Sequence, residues 1–201
     1  MRVFVGCEYS GIVRDEFIRE GHYAISCDIL PSESLYGDHI MHDVVEILEN
    51  TEDGFYDLII CHPPCTYLCV AGNRYYSNTK KRQESIEWTE QLWNLCKKKG
   101  NRVCFENPVG VLSTQSNLKK PSQYIQPYMF GHPEKKKTGL WNYNLPNLIG
   151  TNNVFIEMQS LPLKEQQRIW YMSPGKDRSK RRSMFFRGIA EAMAKQWGIL
   201  K

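Results

Sequence analysis

Five short apolar runs, each bounded by turn residues, set the fold class of this chain. They are Val3-Phe4-Val5, Tyr23-Ala24-Ile25-Ser26-Cys27, a brief stretch around His39-Ile40-Met41, Tyr56-Asp57-Leu58-Ile59-Ile60-Cys61 and Arg102-Val103-Cys104-Phe105. Runs this short and rich in β-branched residues read as buried strands. Helical patterns separate them. Ile12, Val13, Phe17 and Ile18 recur at helical spacing before Gly21, and Trp88, Leu92, Leu95 and Cys96 share one face of Ile86–Lys98 before Gly100. A glycine at either place can adopt the left-handed conformation that ends a helix. Strand alternating with helix predicts an α/β fold with a mostly parallel, twisted sheet covered on both faces. Sheets of that kind bind ligands beyond the carboxyl ends of their strands.

After Phe105 the pattern loosens. Pro108 to about Pro174 is rich in Pro, Asn and Lys, with Phe130, Trp141 and Phe155 as isolated anchors, and reads as loops and short strands. Helical period returns in Gly188 to Trp197 through Ile189, Ala192, Met193 and Trp197. A length of 201 residues with 41% hydrophobic content suits one core, so residues 1–201 are expected to form a single domain. No run of eighteen apolar residues occurs, and Met1-Arg2-Val3-Phe4-Val5-Gly6 starts as a strand rather than as a signal sequence. A soluble, intracellular chain without membrane contact is expected. The seven cysteines, an odd number scattered through apolar segments, suit reduced thiols in a cytosol better than a disulfide framework.

A net charge of +4 is too mild to decide between anionic partners. The distribution says more. Lys164 to Arg187 holds Lys164, Arg168, Lys176, Arg178, Lys180, Arg181, Arg182 and Arg187 against Glu165 and Asp177, with Trp170, Tyr171, Phe185 and Phe186 interleaved. A phosphate-binding surface and a merely solvated basic face both fit that composition.

Chemistry-bearing residues gather at the strand ends. Asp28 follows the second strand, at the spacing where a carboxylate accepts hydrogen bonds from ribose hydroxyls, and Asp43 follows the third, where it can meet an adenine amino group. The first turn, Gly6-Cys7-Glu8-Tyr9-Ser10-Gly11, has two glycines that allow close approach of backbone to a ligand. An acid at a strand end also serves often as a helix cap. The fourth strand runs directly into His62-Pro63-Pro64-Cys65-Thr66-Tyr67, where two prolines stiffen the backbone ahead of the thiol. Cysteine is also a common core residue. The spacing Cys61-x3-Cys65-x3-Cys69 matches no usual zinc or cluster pattern, and no metal is expected. The fifth strand leads into Glu106-Asn107-Pro108-Val109, bringing an acid to the same sheet edge as Cys65. Burial in a cleft is expected to raise the Glu106 pKa, so that it shares or donates a proton near neutral pH.

The order Phe4-Val5-Gly6, Asp28, Asp43, Pro64-Cys65, Glu106-Asn107-Pro108-Val109, Gly131-His132-Pro133-Glu134-Lys135-Lys136 and Gly188-Ile189-Ala190-Glu191-Ala192-Met193 resembles the DNA cytosine-5 methyltransferase family in its short, phage-type form. The resemblance spans most of the chain. It implies a Rossmann-like S-adenosylmethionine-dependent methyltransferase fold, acting on cytosine-containing DNA in the cytoplasm of a bacterial host, encoded by a phage or prophage. S-adenosyl-L-methionine would lie against Phe4, Gly6, Glu8, Gly11, Asp28, Ile29, Asp43, Val44 and Pro63. Cys65 would attack carbon 6 of the base and Glu106 would hydrogen-bond its ring nitrogen and amine. Pro64, Asn107, Lys136, Arg82, Arg178, Arg181 and Arg182 would meet the DNA, with the target base rotated out of the helix.

The chain departs from the family pattern at three places. Glu8 stands where a further glycine is usual, and Thr138 stands where an arginine faces the cytosine carbonyl, a role open to Lys136 or Arg82. By the resemblance, residues 140–174 would form a target-recognition region far shorter than usual, which implies short or relaxed sequence specificity. Three other readings compete: a methylase of exocyclic amines, whose Asp/Asn-Pro-Pro-aromatic turn is superficially similar, a decayed fold that binds nucleic acid or a partner, and an enzyme of this fold acting on another pyrimidine substrate such as a free nucleotide.

Overall fold

The computed structural model describes residues 1–176 and 178–200, without the side chain of Ser179. Seven strands form one sheet among them: β1 (Arg2–Gly6), β2 (Tyr23–Asp28), β3 (His39–Met41), β4 (Leu58–Cys61), β5 (Val103–Pro108), β6 (Gln123–Ile125) and β7 (Thr138–Tyr143). Their order is β3-β2-β1-β4-β5-β7-β6, and β7 alone runs antiparallel to its neighbours. The fold is the α/β, Rossmann-like arrangement expected from the strand and helix alternation. The chain reverses its direction of travel across the sheet between β1 and β4, which opens a crevice at their carboxyl ends.

Alternation along the central strands explains the two-sided core. Val3 and Val5 of β1 and Leu58 and Ile60 of β4 point to one face, beneath the helices Ile12–Arg19 and Arg187–Trp197. Phe4, Ile59 and Cys61 point to the other, where they meet Ile86, Leu92 and Cys96 of the helix Lys80–Lys99. Successive side chains on a strand must face opposite ways, so a strand that is apolar throughout demands a cover on each side. Each large apolar side chain so buried contributes about 1.5–3 kcal/mol.

The helix Lys80–Lys99 starts six residues before the expected Ile86, because the Thr79 hydroxyl accepts from the Arg82 amide at 3.3 Å and caps it. Gly21 has φ +82°, the left-handed conformation expected after Ile12–Arg19. Gly100 does not: its φ is −126°, and its lack of a side chain serves packing, since a Cβ there would lie 2.8 Å from Ile59 Cγ1. The loose region after Phe105 supplies β6 and β7 as well as short helices, and Trp141 of β7 is buried against β5. The first four residues of the 140–174 stretch therefore belong to the sheet. No helix among the described residues is long and apolar enough to cross a membrane.

Candidate active site

A cleft of about 1060 Å³ opens beyond the carboxyl ends of the central strands. Asp28, Ile29, Asp43 and Val44 border it on one side and Pro64, Cys65, Val109 and Lys136 on the other. Asp28 Oδ1 accepts from the Leu30 amide at 2.9 Å, which shapes the turn after β2, and burial raises its pKa. Asp43 Oδ1 accepts from the Val45 amide at 2.7 Å and caps the helix Val44–Glu49. Asp43 is thus both a cap and part of the cleft wall. Cys7, which also borders the cleft, has φ +57°, an uncommon conformation for a residue with a side chain.

The first turn differs from expectation. Phe4 is fully buried in the core, and Glu8 is folded inward, so neither side chain borders the cleft. Glu8 Oε1 accepts from the Val13 amide at 2.6 Å and Oε2 from the Arg14 amide at 3.2 Å, so the carboxylate caps the helix Ile12–Arg19. That corrects the cofactor-facing role expected for both residues. Burial raises the Glu8 pKa against the lowering influence of His62 and the two amides. Gly11, at φ +74°, turns the chain into that helix, and a Cβ on it would lie 2.5 Å from the Arg14 guanidinium. Gly6 lets β1 pack closely, since a Cβ there would lie 2.7 Å from Cys61 Sγ and 2.9 Å from Val44 Cγ2. Both glycines shape the wall without lining the cleft.

Pro63, Pro64 and Cys65 are held between the ends of β4 and β5. Asn107 Nδ2 donates to the buried Pro63 carbonyl at 2.7 Å, and Arg82 Nε donates to the Tyr67 carbonyl at 2.7 Å. Arg82 is buried and does not border the cleft, so of the two basic residues considered in place of the missing arginine only Lys136 reaches it. Thr138 is buried at the start of β7, where its hydroxyl donates to the Lys136 carbonyl at 3.0 Å. Gly110 lies so close to the loop that a Cβ would come within 2.0 Å of the Leu68 carbonyl oxygen. The Leu68 and Cys69 amides donate to the Cys65 carbonyl at 3.0 and 2.9 Å, which sets Cys69 one turn after Cys65 on the same cleft wall.

Glu106 lies behind this wall, buried, with Oε2 at 3.2 Å from His62 Nδ1. Burial pushes its pKa up, but the His62 hydrogen bond and the Lys136 charge outweigh it and hold the carboxyl below its ordinary value. The raised pKa expected from burial alone is therefore corrected: Glu106 is an ionised acceptor. Cys65 is pushed far above the ordinary thiol range by its contact with Cys69, by burial and by the Glu106 charge, with Lys136 opposing. Cys69 is lowered to about 6, first by the hydrogen bond from Cys65 and then, against burial, by backbone amides and Arg182.

His62 was no candidate in the sequence, yet it borders the cleft with its ring 4.8 Å from that of Phe185. Its place directly after an apolar strand was the available signal. Cys69 was weighed only as a metal ligand, and among the described residues no group of three His, Cys, Asp or Glu side chains is placed to hold a metal.

The basic segment forms a rim. Arg178 and Arg182 border the cleft, whereas Arg181 lines a neighbouring basin of about 390 Å³ with Lys164, Arg168 and Lys176. Arg168 is paired with Glu134 at 2.8 Å, and the Tyr9 hydroxyl contacts Ser183 Oγ at 2.9 Å, which ties the helix Arg178–Ser183 to the first turn. Asp177 lies outside the described residues. Asn107 is buried behind the wall, so the structure places it as a support of the Pro63 carbonyl rather than at the cleft surface.

No family model matches this chain, and no curated protein matches it. Among solved structures, it is similar to the bifunctional kinase-methyltransferase WbdD, with a TM-score of 0.47 and 11% identity over 73% of this chain and 38% of that one. A second structure of WbdD gives a TM-score of 0.49 and 12% identity over 74% of this chain and 36% of that one. The chain thus spans under two fifths of the length of the proteins it matches.

Proposed function

We propose that this chain is a methyltransferase that transfers a methyl group from S-adenosylmethionine to carbon 5 of cytosine in DNA, with Cys65 as the nucleophile. The observation that carries this reading is a single cleft shared by the strand-end acids Asp28 and Asp43 and the Pro64-Cys65 loop. The donor set suits the cofactor: carboxylates for ribose hydroxyls and an amino group, with Ile29 and Val44 as apolar walls for a purine. A volume of about 1060 Å³ leaves room for a nucleoside cofactor and an extruded base together. When bound, S-adenosylmethionine supplies an electrophilic methyl group.

Cytosine carbon 5 is a weak nucleophile, and addition of sulfur at carbon 6 moves electron density onto it. Cys65 makes that bond as a thiolate, its proton released to solvent and its charge favoured by Lys136. The Lys136 ammonium stabilises the negative charge that develops on the ring, the role for which the family uses an arginine. Glu106, ionised and with 10% of its side chain still exposed, accepts from the exocyclic amine. Arg178 and Arg182 bind backbone phosphates at the rim while the base is turned out of the stack. The stretch between Tyr143 and Pro174 has few residues for reading base edges, which supports a short recognition sequence.

The test is trapping on DNA that contains 5-fluorocytosine, whose adduct cannot release its carbon 5 substituent. With S-adenosylmethionine present, mass spectrometry is expected to map a covalent DNA adduct to Cys65, and Cys65→Ser to abolish it. A fully saturated cofactor site with no adduct overturns the proposal.

A further inference from the structure

We infer that His62 is the base that removes the carbon 5 proton after methyl transfer, with Glu106 as the carboxylate that orients its ring. This rests on the cytosine-5 reading above and assigns a step which that reading leaves without a residue. His62 Nδ1 lies 3.2 Å from Glu106 Oε2. An ionised carboxylate only accepts, so Nδ1 carries the hydrogen and Nε2 presents its lone pair. Nε2 is closed to bulk water and has no hydrogen-bond partner among the described residues, although the residue itself borders the cleft. One imidazole nitrogen on a carboxylate and the other without a partner, in a residue that borders a substrate cleft, is the arrangement of a base with its orienting partner.

The acid–base groups nearest in kind have other settings, His42 lying half-exposed with Nδ1 3.6 Å from Glu46 Oε2. Asp28 and Asp43 hold the amides of their own turns, and Cys69 accepts a hydrogen bond from Cys65. Glu106 from β5, Glu8 from the first turn and Asp28 from the end of β2 are acidic neighbours of His62, and Lys136, which acts on Glu106, borders the same cleft. Phe185 closes the remaining side.

The step balances. In the adduct, carbon 5 bears the new methyl group and a hydrogen, and carbon 6 bears the Cys65 sulfur. Nε2 takes the hydrogen as a proton, and the C–H electron pair becomes the bond between carbons 5 and 6. The C–S bond breaks with its pair returning to sulfur as thiolate. The imidazolium, stabilised by Glu106, passes its proton to the departing Cys65 thiolate, whose raised pKa favours the thiol.

The experiment separates adduct formation from proton removal. Wild type, His62→Gln and His62→Ala are compared for trapping on 5-fluorocytosine DNA and for tritium release from DNA labelled at cytosine carbon 5, with melting curves for each. His62→Gln is expected to form the adduct as wild type does but to release tritium more slowly by on the order of 10²–10⁴-fold. Added imidazole is expected to restore part of the release in His62→Ala, which a purely structural role would not allow. Undiminished tritium release in a variant, or loss of the adduct in variants that melt like wild type, overturns the assignment. No adduct in wild type overturns the cytosine-5 reading itself, and the assignment with it.

Discussion

Asn107 Nδ2 donates to the Pro63 carbonyl at 2.7 Å, so the end of β5 holds the loop that presents Cys65 from the end of β4. Asn107 is buried and Pro63 has no amide of its own with which to anchor the turn. Asn107→Ala leaves that buried carbonyl without its donor and is expected to cost about 1–3 kcal/mol. Urea denaturation measures the cost. Adduct formation at Cys65 should slow more than the stability loss explains, because the loop also loses its position.

The Glu106 pKa lies below its ordinary value in the folded protein. A carboxyl depressed on folding stabilises the native state above its unfolded pKa, about 4.3, and loses that contribution as pH falls through the folded value. Glu8 is shifted the opposite way, so its ionisation weakens the fold as pH rises through its own folded value. Melting curves from acidic to neutral pH are expected to show that Glu106→Gln flattens the acid limb of the stability profile. An acid limb unchanged by the substitution would contradict the depressed value.

The paired sulfurs predict a titration that a lone thiol cannot give. Cys69 is lowered to about 6 with Cys65 as its principal hydrogen-bond donor. Cys65→Ala is therefore expected to return Cys69 toward the ordinary thiol range, near 8.5. Alkylation rates by iodoacetamide as a function of pH, with the modified residue located by mass spectrometry, read this directly. An unchanged Cys69 profile in Cys65→Ala would contradict the hydrogen bond between the two sulfurs.

Arg178 and Arg182 border the cleft and lie on one short helix. If each meets a phosphate, Arg178→Ala and Arg182→Ala should each lower the slope of log affinity against log salt by about 1, uniformly across DNA sequences. Fluorescence anisotropy at several salt concentrations tests it, and a slope equal to wild type in both variants would place the DNA elsewhere.

The parallel sheet was readable because β-branched runs such as Leu58-Ile59-Ile60 have few alternatives to burial on both faces. The acids at the ends of β2 and β3 were readable for the same reason, since strand ends locate the crevice. Residues further from that logic were not. Glu8 looked like a poor replacement for glycine in a cofactor turn, and only its contacts with the Val13 and Arg14 amides reveal a helix cap. Arg82 looked as suitable as Lys136 until burial against the Tyr67 carbonyl separated them.

By itself, the amino-acid sequence determined the order of the first five strands, the positions of Asp28, Asp43, Cys65 and Glu106 near strand ends, and the absence of a disulfide pattern. These follow from hydrophobic period and turn chemistry, which act over a few residues. Tertiary structure alone decided the direction of the Glu106 pKa, the pairing of Cys65 with Cys69 and the seating of His62 between Glu106 and the cleft. Proton affinity depends on burial and on charges several ångströms away, and those charges come from segments far apart in the chain.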